Sequence, residues 1–410
     1  MAFNRFDYGL KFEYAEQYNK GRVSKYIENK YLRHIRIWNS FIEDKKQNKN
    51  DFINSFNYLL DSCKSDNNLE LPPISISTEG NLVNGIHRLV ATKLHGLTLK
   101  ANQIRSPYRY NQDFFERYTN PRDNSRFGHE LLLEMKRQQL KHLGGNLFFV
   151  LPGAIEKDGG KFAQKCLRDN LGYSFKERIR VPSRLINLLT LHFYYDQNWI
   201  RKQNTIDWGA VEFKSREIKA RSSIQYIDCY LINSDEQSTV RCKKEIREYY
   251  KINNGSAHST DTYEQAWIAF GLLTSLKEVA KIWRDKSRMS CVFNALWQEM
   301  VKPDFKPQNF YDSAVSGSSI LDIMGLRQSN DIDNVYRTTS MQSNSSKTHN
   351  HYDYLFDQEI DSLIDNPDCH FSLLGRKFLN KQIITKFKKA RSEHKDLNDL
   401  TLIEHEYLNQ

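Results

Sequence analysis

The sequence predicts a mixed α/β (α+β) protein of several domains, and three observations predict it. The chain has 410 residues, more than one hydrophobic core ordinarily organises. Apolar residues recur at helical spacing in some stretches and alternate over short spans in others. Gly and Pro separate these two kinds of stretch repeatedly. Hydrophobic residues make up 39% and aromatics 12%, which favours packed cores over a disordered chain.

The balance of 60 Lys+Arg against 50 Asp+Glu leaves a net charge of +10. That suits a nucleotide, a nucleic acid or another polyanion without selecting among them, and it also fits a solvated basic surface. Six cysteines are scattered with no C-x-x-C pair, and the chain opens on polar residues. Free thiols in a reducing, cytoplasmic setting are therefore expected. No apolar run reaches the roughly 18 residues a membrane span needs; the richest, Leu185 to Tyr195, is short and flanked by charge.

Residues 1–64 form the first expected segment. Between Tyr26 and Trp38 aromatic, aliphatic and basic residues interleave at helical spacing, predicting one or two amphipathic helices. The aromatic and basic residues either stack on and neutralise a nucleic acid or form a core stripe with a charged outer face. Residues 65–125 follow as a small α/β module. Ile74 and Ile76 alternate as a strand after Pro72-Pro73, Glu79-Gly80-Asn81 turns, and Leu82-Val83 makes a second strand. Asn84-Gly85 then opens a helix that ends at Gly96. Gly85, His87 and Arg88 thus gather at a helix N-terminus, where N–H groups and a guanidinium can hold phosphate together. His87 reads equally well as a capping or core histidine.

Residues 126–300 read as a middle α/β domain. A helix runs from Glu130 to His142 and stops at Gly144-Gly145, Phe148 to Leu151 is a strand, Pro182 opens a helix through Tyr195, and Ser222 to Ile232 carries another strand. A polar knot follows, with Lys243, Lys244 and Arg247 on one helix, His258 in the connection, and Asp261 or Thr262 starting the next helix. His258 is its candidate general base or phosphate contact.

In residues 301–410, Phe310 to Val315 feeds a strand into a Gly317-Ser318 turn. An apolar-periodic helix follows, and twelve residues separate Ser318 from Asp331. Asp331 and Asp333 are expected on one strand face, because strand side chains alternate with period two. Two such carboxylates can hold a divalent metal, and the turn can cradle phosphates.

Three resemblances extend these readings. Asn84-Gly85-Ile86-His87-Arg88, with Ala91, Lys93 and Gly96 downstream, resembles the ParB/sulfiredoxin-like superfamily over roughly residues 65 to 110. The resemblance implies nucleotide phosphates at Gly85, His87 and Arg88. Ile86 stands at the reactive-cysteine position, which disfavours repair chemistry. Lys243/Lys244, Ile246, Arg247, Ser256, His258, Asp261, Thr262 and Glu264 resemble a segment of proteins from bacterial surface-polysaccharide loci.

Gly317-Ser318 with the spaced Asp331-Ile332-Asp333 resembles the nucleotidyltransferase superfamily, supported by Asn366 to Phe378 and by a closing helix bearing Arg391, Lys395, Asp396 and Asp399. That resemblance implies a metal-dependent nucleotidyl- or phosphoryl-transferase using a nucleoside triphosphate with Mg²⁺ or Mn²⁺. Its acceptor would be a carbohydrate or small molecule in surface-polysaccharide synthesis. Asp331 and Asp333 would hold the metal, with Asp353 first and Glu359 second for a third carboxylate. Gly317, Ser318 and Ser319 would cradle the leaving phosphates, and Arg327 and Lys377 would assist. The competing expectations are a nucleic-acid binding or modifying protein and a non-catalytic nucleotide sensor.

Overall fold

A computed structural model describes residues 5–66, 68–203, 205–338 and 350–408. The polar Ser343 to Lys347 stretch lies outside them. The fold is mixed α and β, in two compact units: residues 1–145 with 174–176, and residues 146–173 with 177–410. None of the described helices is long and apolar enough to cross a membrane.

Unit 1 begins with α1 (Tyr8–Asn19), α2 (Lys25–Asn39) and α3 (Lys49–Ser65), three helices where the periodicity predicts one or two. The extra boundaries are local. Ser24 caps α2 by accepting the Ile27 N–H, Ser40 ends it in the left-handed conformation, and Asn48 with Asp51 makes a capping box for α3. Next come β1 (Ile74–Ser77), β2 (Leu82–Asn84), α4 (Ile86–His95) and β3 (Ala101–Ile104). They form a sheet of order β2-β1-β3, with β2 antiparallel and β3 parallel to β1. The unit closes with α5 (Gln112–Arg117) and α6 (His129–Leu143).

One core serves both expected N-terminal segments. Tyr14, Tyr31 and Phe56 from the three helices pack with ring centroids 4.6 to 5.8 Å apart, continuous with Ile74, Leu82, Val90 and Ala91 of the small module. Neither segment buries its apolar face alone.

Unit 2 starts with β4 (Asn146–Val150), α7 (Pro152–Asp158), α8 (Lys161–Asn170) and β5 (Phe175–Val181). Then come α9 (Ile186–Phe193), the short pair β6 (Arg201–Lys202) and β7 (Thr205–Ile206), α10 (Trp208–Ile218), β8 (Gln225–Ile232), α11 (Glu236–Tyr250) and β9 (Ala257–Ser259). The sheet order is β5-β8-β4-β9, with β4 antiparallel to both neighbours. Phe148 and Val150 face α7, α8 and α11 through Ala154, Leu167, Cys242 and Ile246, while Phe149 stacks on Phe193 at 4.5 Å. β4 is apolar from Leu147 to Val150 because both of its faces are covered.

The remainder is α12 (Tyr263–Ile282), α13 (Cys291–Met300), β10 (Ser313–Val315), α14 (Ser319–Ile323), β11 (Asn334–Tyr336), α15 (Ile360–Asp365), β12 (His370–Leu373), β13 (Arg376–Leu379), α16 (Lys381–Arg391) and α17 (His394–Leu408). The Thr262 hydroxyl caps α12 by accepting the Gln265 N–H at 3.2 Å. The second sheet has order β11-β10-β13-β12, with β10 antiparallel to β11 and parallel to β13. Helix α12 packs against both β4 and β12, which is why its apolar residues run nearly all round.

Candidate functional site

The Gly317 stretch folds as a strand, a turn and a returning loop. Gly317 turns the chain with φ of +67°, a conformation that would strain a residue with a Cβ. Two expectations change here. The helix after the turn, α14, has only five residues, too few to build a useful dipole. Asp331 and Asp333 precede β11 instead of alternating along it. Asp333 extends the β10–β11 register by one step, whereas serine side chains hold the Asp331 backbone. The Asp333 carbonyl accepts the Ser316 N–H at 2.8 Å, and the Asp331 carbonyl accepts the hydroxyls of Ser319 at 3.3 Å and Ser329 at 2.9 Å.

This bonding lays the acidic loop directly against the turn. Ser318 and Ser329 share a hydroxyl hydrogen bond of 2.9 Å, and the buried Asp322 carboxylate accepts the Ser329 N–H at 2.8 Å. Asp322 is a contributor that sequence spacing missed, since it lies on the apolar-periodic helix between the two motif halves. The Asp331 side chain is exposed and Asp333 half-buried. Asp353 is exposed on a turn at Asn350–Leu355, and Glu359 precedes α15.

The flanking cations are engaged. Arg327 forms a two-pronged pair with Asp399 at 2.5 and 3.0 Å. Lys377 donates to the carbonyls of Tyr311 and Ile364 at 2.8 and 2.9 Å. Beneath the loop Lys388 lies 3.1 Å from Asp396 and 2.7 Å from Asp399, and Arg391 grips Asp396 with two bonds of 2.7 Å. Burial raises the pKa of both aspartates, and the surrounding cations more than reverse it, so both stay below the usual carboxylate range. Arg327 therefore ties the site loop to α16 and α17.

His258 lies on β9, in the other sheet of unit 2. Its ring packs between Phe193 at 5.4 Å and Tyr194 at 4.6 Å, and its Nε2 has no hydrogen-bond partner. Burial first, then Lys243 and Arg247, push its pKa down to about 3. It is a neutral, weakly basic imidazole at pH 7.

In unit 1, Gly85 has φ of +92°, and a Cβ there would lie 2.5 Å from the Ile74 side chain. The guanidinium of Arg88 folds back over Gly85. His87 meets the Tyr31 hydroxyl at 3.2 Å and packs edge-on to Phe56 at 4.6 Å. Burial and the nearby Lys11 and Lys46 keep it neutral.

Sequence reasoning missed the acid and base groups at the start of α1. Asp7 is fully buried and holds Arg5 at 2.8 Å and Lys11 at 2.5 Å. The i,i+4 spacing of Asp7 and Lys11 was the available signal. Among the described residues, the group of acids and histidine close enough to share a metal ion is Glu13, Glu16 and His142. Lys141 already fills that place, 2.6 Å from Glu13 and 3.6 Å from Glu16. No family model, curated protein or solved structure matches the chain.

Proposed function

We propose that unit 2 is a divalent-metal-dependent nucleotidyl- or phosphoryl-transferase, working on a carbohydrate or small-molecule acceptor. One observation carries this reading: the Ser316–Asp333 backbone hydrogen bond of 2.8 Å, which sets two carboxylates beside a glycine turn. In-line displacement at phosphorus asks a protein chiefly for alignment and charge neutralisation. The donor set fits a hard cation, since the Asp331 carboxylate is exposed and Asp333 lies two positions along the same loop. Asp331 and Asp333 would hold Mg²⁺ or Mn²⁺, which supplies charge neutralisation on the triphosphate and a more acidic acceptor hydroxyl. The turn at Gly317, Ser318 and Ser319 would take the leaving phosphates. Arg327, through Asp399, keeps the acidic loop in place.

The test is pyrophosphate release from ATP, CTP, GTP and UTP with Mg²⁺ and a panel of sugar acceptors. It is paired with Mn²⁺ binding read by electron paramagnetic resonance. In Asp331→Asn with Asp333→Asn, turnover and Mn²⁺ binding should both vanish while the melting temperature holds. Undiminished turnover in that protein would overturn the assignment.

A further inference from the structure

The six cysteines form no disulfide among the described residues, and two of them, both in unit 2, meet. Cys166 on α8 and Cys242 on α11 lie 76 positions apart in sequence, yet their sulfurs approach to 3.1 Å, closer than the roughly 3.5 to 4.0 Å at which buried carbon atoms pack. A buried cysteine is ordinarily an inert small hydrophobe. This pair has a polar side. Asn170, one turn after Cys166, donates its amide to the Cys166 sulfur at 3.3 Å, and Glu245, one turn after Cys242, accepts from the Cys166 thiol at 3.3 Å. Asn170 and Glu245 are exposed, so Cys166, itself 6% exposed, lies directly beneath two surface side chains. Cys242, at 0%, stands behind it among Leu167, Tyr230 and Ile246. Burial pushes the Cys63 and Cys369 thiols up. At Cys166 the hydrogen bond from Cys242 outweighs burial and, with that from Asn170, lowers the pKa.

From this geometry we infer that Cys166 and Cys242 are a peroxide-oxidised thiol pair, closing a reversible disulfide that ties α8 to α11. The two cysteines divide the chemistry by depth. The Cys166 thiolate attacks one oxygen of hydrogen peroxide. A sulfur–oxygen bond forms, the oxygen–oxygen bond breaks, the sulfur is oxidised to a sulfenic acid, and the proton released from the Cys166 thiol joins the departing hydroxide as water. The Cys242 sulfur then attacks Cys166. The disulfide forms, the sulfur–oxygen bond breaks, and the hydroxide leaves with the Cys242 proton as a second water. Two thiols and one peroxide thus give one disulfide and two waters. Closing the bond brings the sulfurs from 3.1 Å to about 2.05 Å. In the reduced protein α8 and α11 are joined by packing of residues such as Ala163, Leu167 and Ile246; the disulfide adds a covalent tie, and a dithiol reductant removes it. The pair packs on the β5-β8-β4-β9 sheet, whereas Asp331 and Asp333 precede β11 of the other sheet. It stands whether or not unit 2 is a transferase.

The experiment treats the folded full chain with increasing hydrogen peroxide, in a Cys291→Ser background that removes the exposed thiol. Remaining thiols are then blocked with N-ethylmaleimide in urea, and peptides are mapped by mass spectrometry without reductant. A cross-linked Cys166–Cys242 peptide should appear, with the intact mass lower by two hydrogens, at a peroxide dose at least ten-fold below that which modifies Cys63, Cys229 or Cys369. Dithiothreitol should restore both thiols. At the same dose Cys242→Ser should leave Cys166 as a sulfenic acid that dimedone captures, whereas in Cys166→Ser the Cys242 thiol should stay reduced. A chain unfolded in urea before oxidation should lose the pair's advantage over the other cysteines. Recovery of both thiols as N-ethylmaleimide adducts at doses that already oxidise Cys63 or Cys369 overturns the inference. Cys166 passing to sulfinic acid while Cys242 is still alkylated, equal oxidation of Cys242 in Cys166→Ser, or the same cross-link yield from the unfolded chain would do the same.

Discussion

Two buried lysines, one in each unit, make the instructive comparison. Lys388 is 2% exposed and sits between two carboxylates, Asp396 and Asp399. Lys11 is 3% exposed but has a single carboxylate, Asp7, which it shares with Arg5. Burial therefore wins at Lys11 and drags its pKa down to about 8 even with Asp7 beside it. Equal burial with unequal neutralisation separates a lysine held by two carboxylates, each shared with one arginine, from one that divides a single carboxylate with Arg5. The first faces α17 and the loop of Arg327; the second lines a cavity.

The largest effect should come from breaking the fully neutralised lysine. Lys388→Met leaves Asp396 and Asp399 buried with one cation fewer, and removing one partner from such a cluster typically costs about 3 to 5 kcal/mol. Lys11→Met leaves Asp7 paired with Arg5 and removes a charge that burial already disfavours, so it should cost less than Lys388→Met. Amide hydrogen exchange over α16 and α17, compared with α1, reads the two locally without assuming that both units unfold together. Equal losses of protection would erase the distinction.

A neutral buried base sharpens the same point at intermediate size. His192 is 1% exposed. Its Nδ1–H donates to the Leu188 carbonyl at 2.8 Å, and its Nε2 accepts the Leu374 N–H at 3.0 Å. That arrangement requires the uncharged ring, and burial holds its pKa down to about 4. The folded value lies below the ordinary 6.5. Its stabilisation is thus complete above pH 6.5 and is lost progressively as pH falls toward about 4. His192→Gln should flatten the acid limb of unit 2 stability in that window, and an unchanged thermal-melt profile from pH 7 to 4.5 would count against it.

The legible and illegible parts of the sequence divide along similar lines. Ile74 to Gly96 was readable because its strand, turn and helix are set by residues within a few positions of each other, and the structure ends α4 at His95 with Gly96 as its left-handed cap. The cap of α12 at Thr262 was readable for the same reason. The backbone of Asp331 was not, because the Ser319 and Ser329 hydroxyls hold its carbonyl from across the loop, while Asp333 only extends the β10–β11 register by one step. Nor could periodicity show that residues 1–64 share a core with Ile74 and Val90. The Asp7 cluster escaped notice because a buried charge looks like a surface charge until its partners are known.

The smallest effect is a titration. Lys11 is faced by Arg5 and Asp7 just ahead of α1, His34 on α2, Glu43 in the following loop and His87 on α4. Both histidines are held neutral by burial at pH 7, so Lys11 is the group in this set with a pKa near neutrality. A polyanion beside Lys11 stabilises its ammonium form and raises its pKa. Binding then takes up a proton once the free protein's Lys11 has begun to lose its own, near pH 8. Affinity for tripolyphosphate, read by isothermal titration calorimetry, should be level below about pH 7 and decline above about pH 8, by at most ten-fold per pH unit for one proton. Lys11→Met should bind more weakly at pH 7 and lose this slope. A slope that persists in Lys11→Met would place the titrating group elsewhere and leave Lys11 without the neutralisation that Asp396 and Asp399 give Lys388.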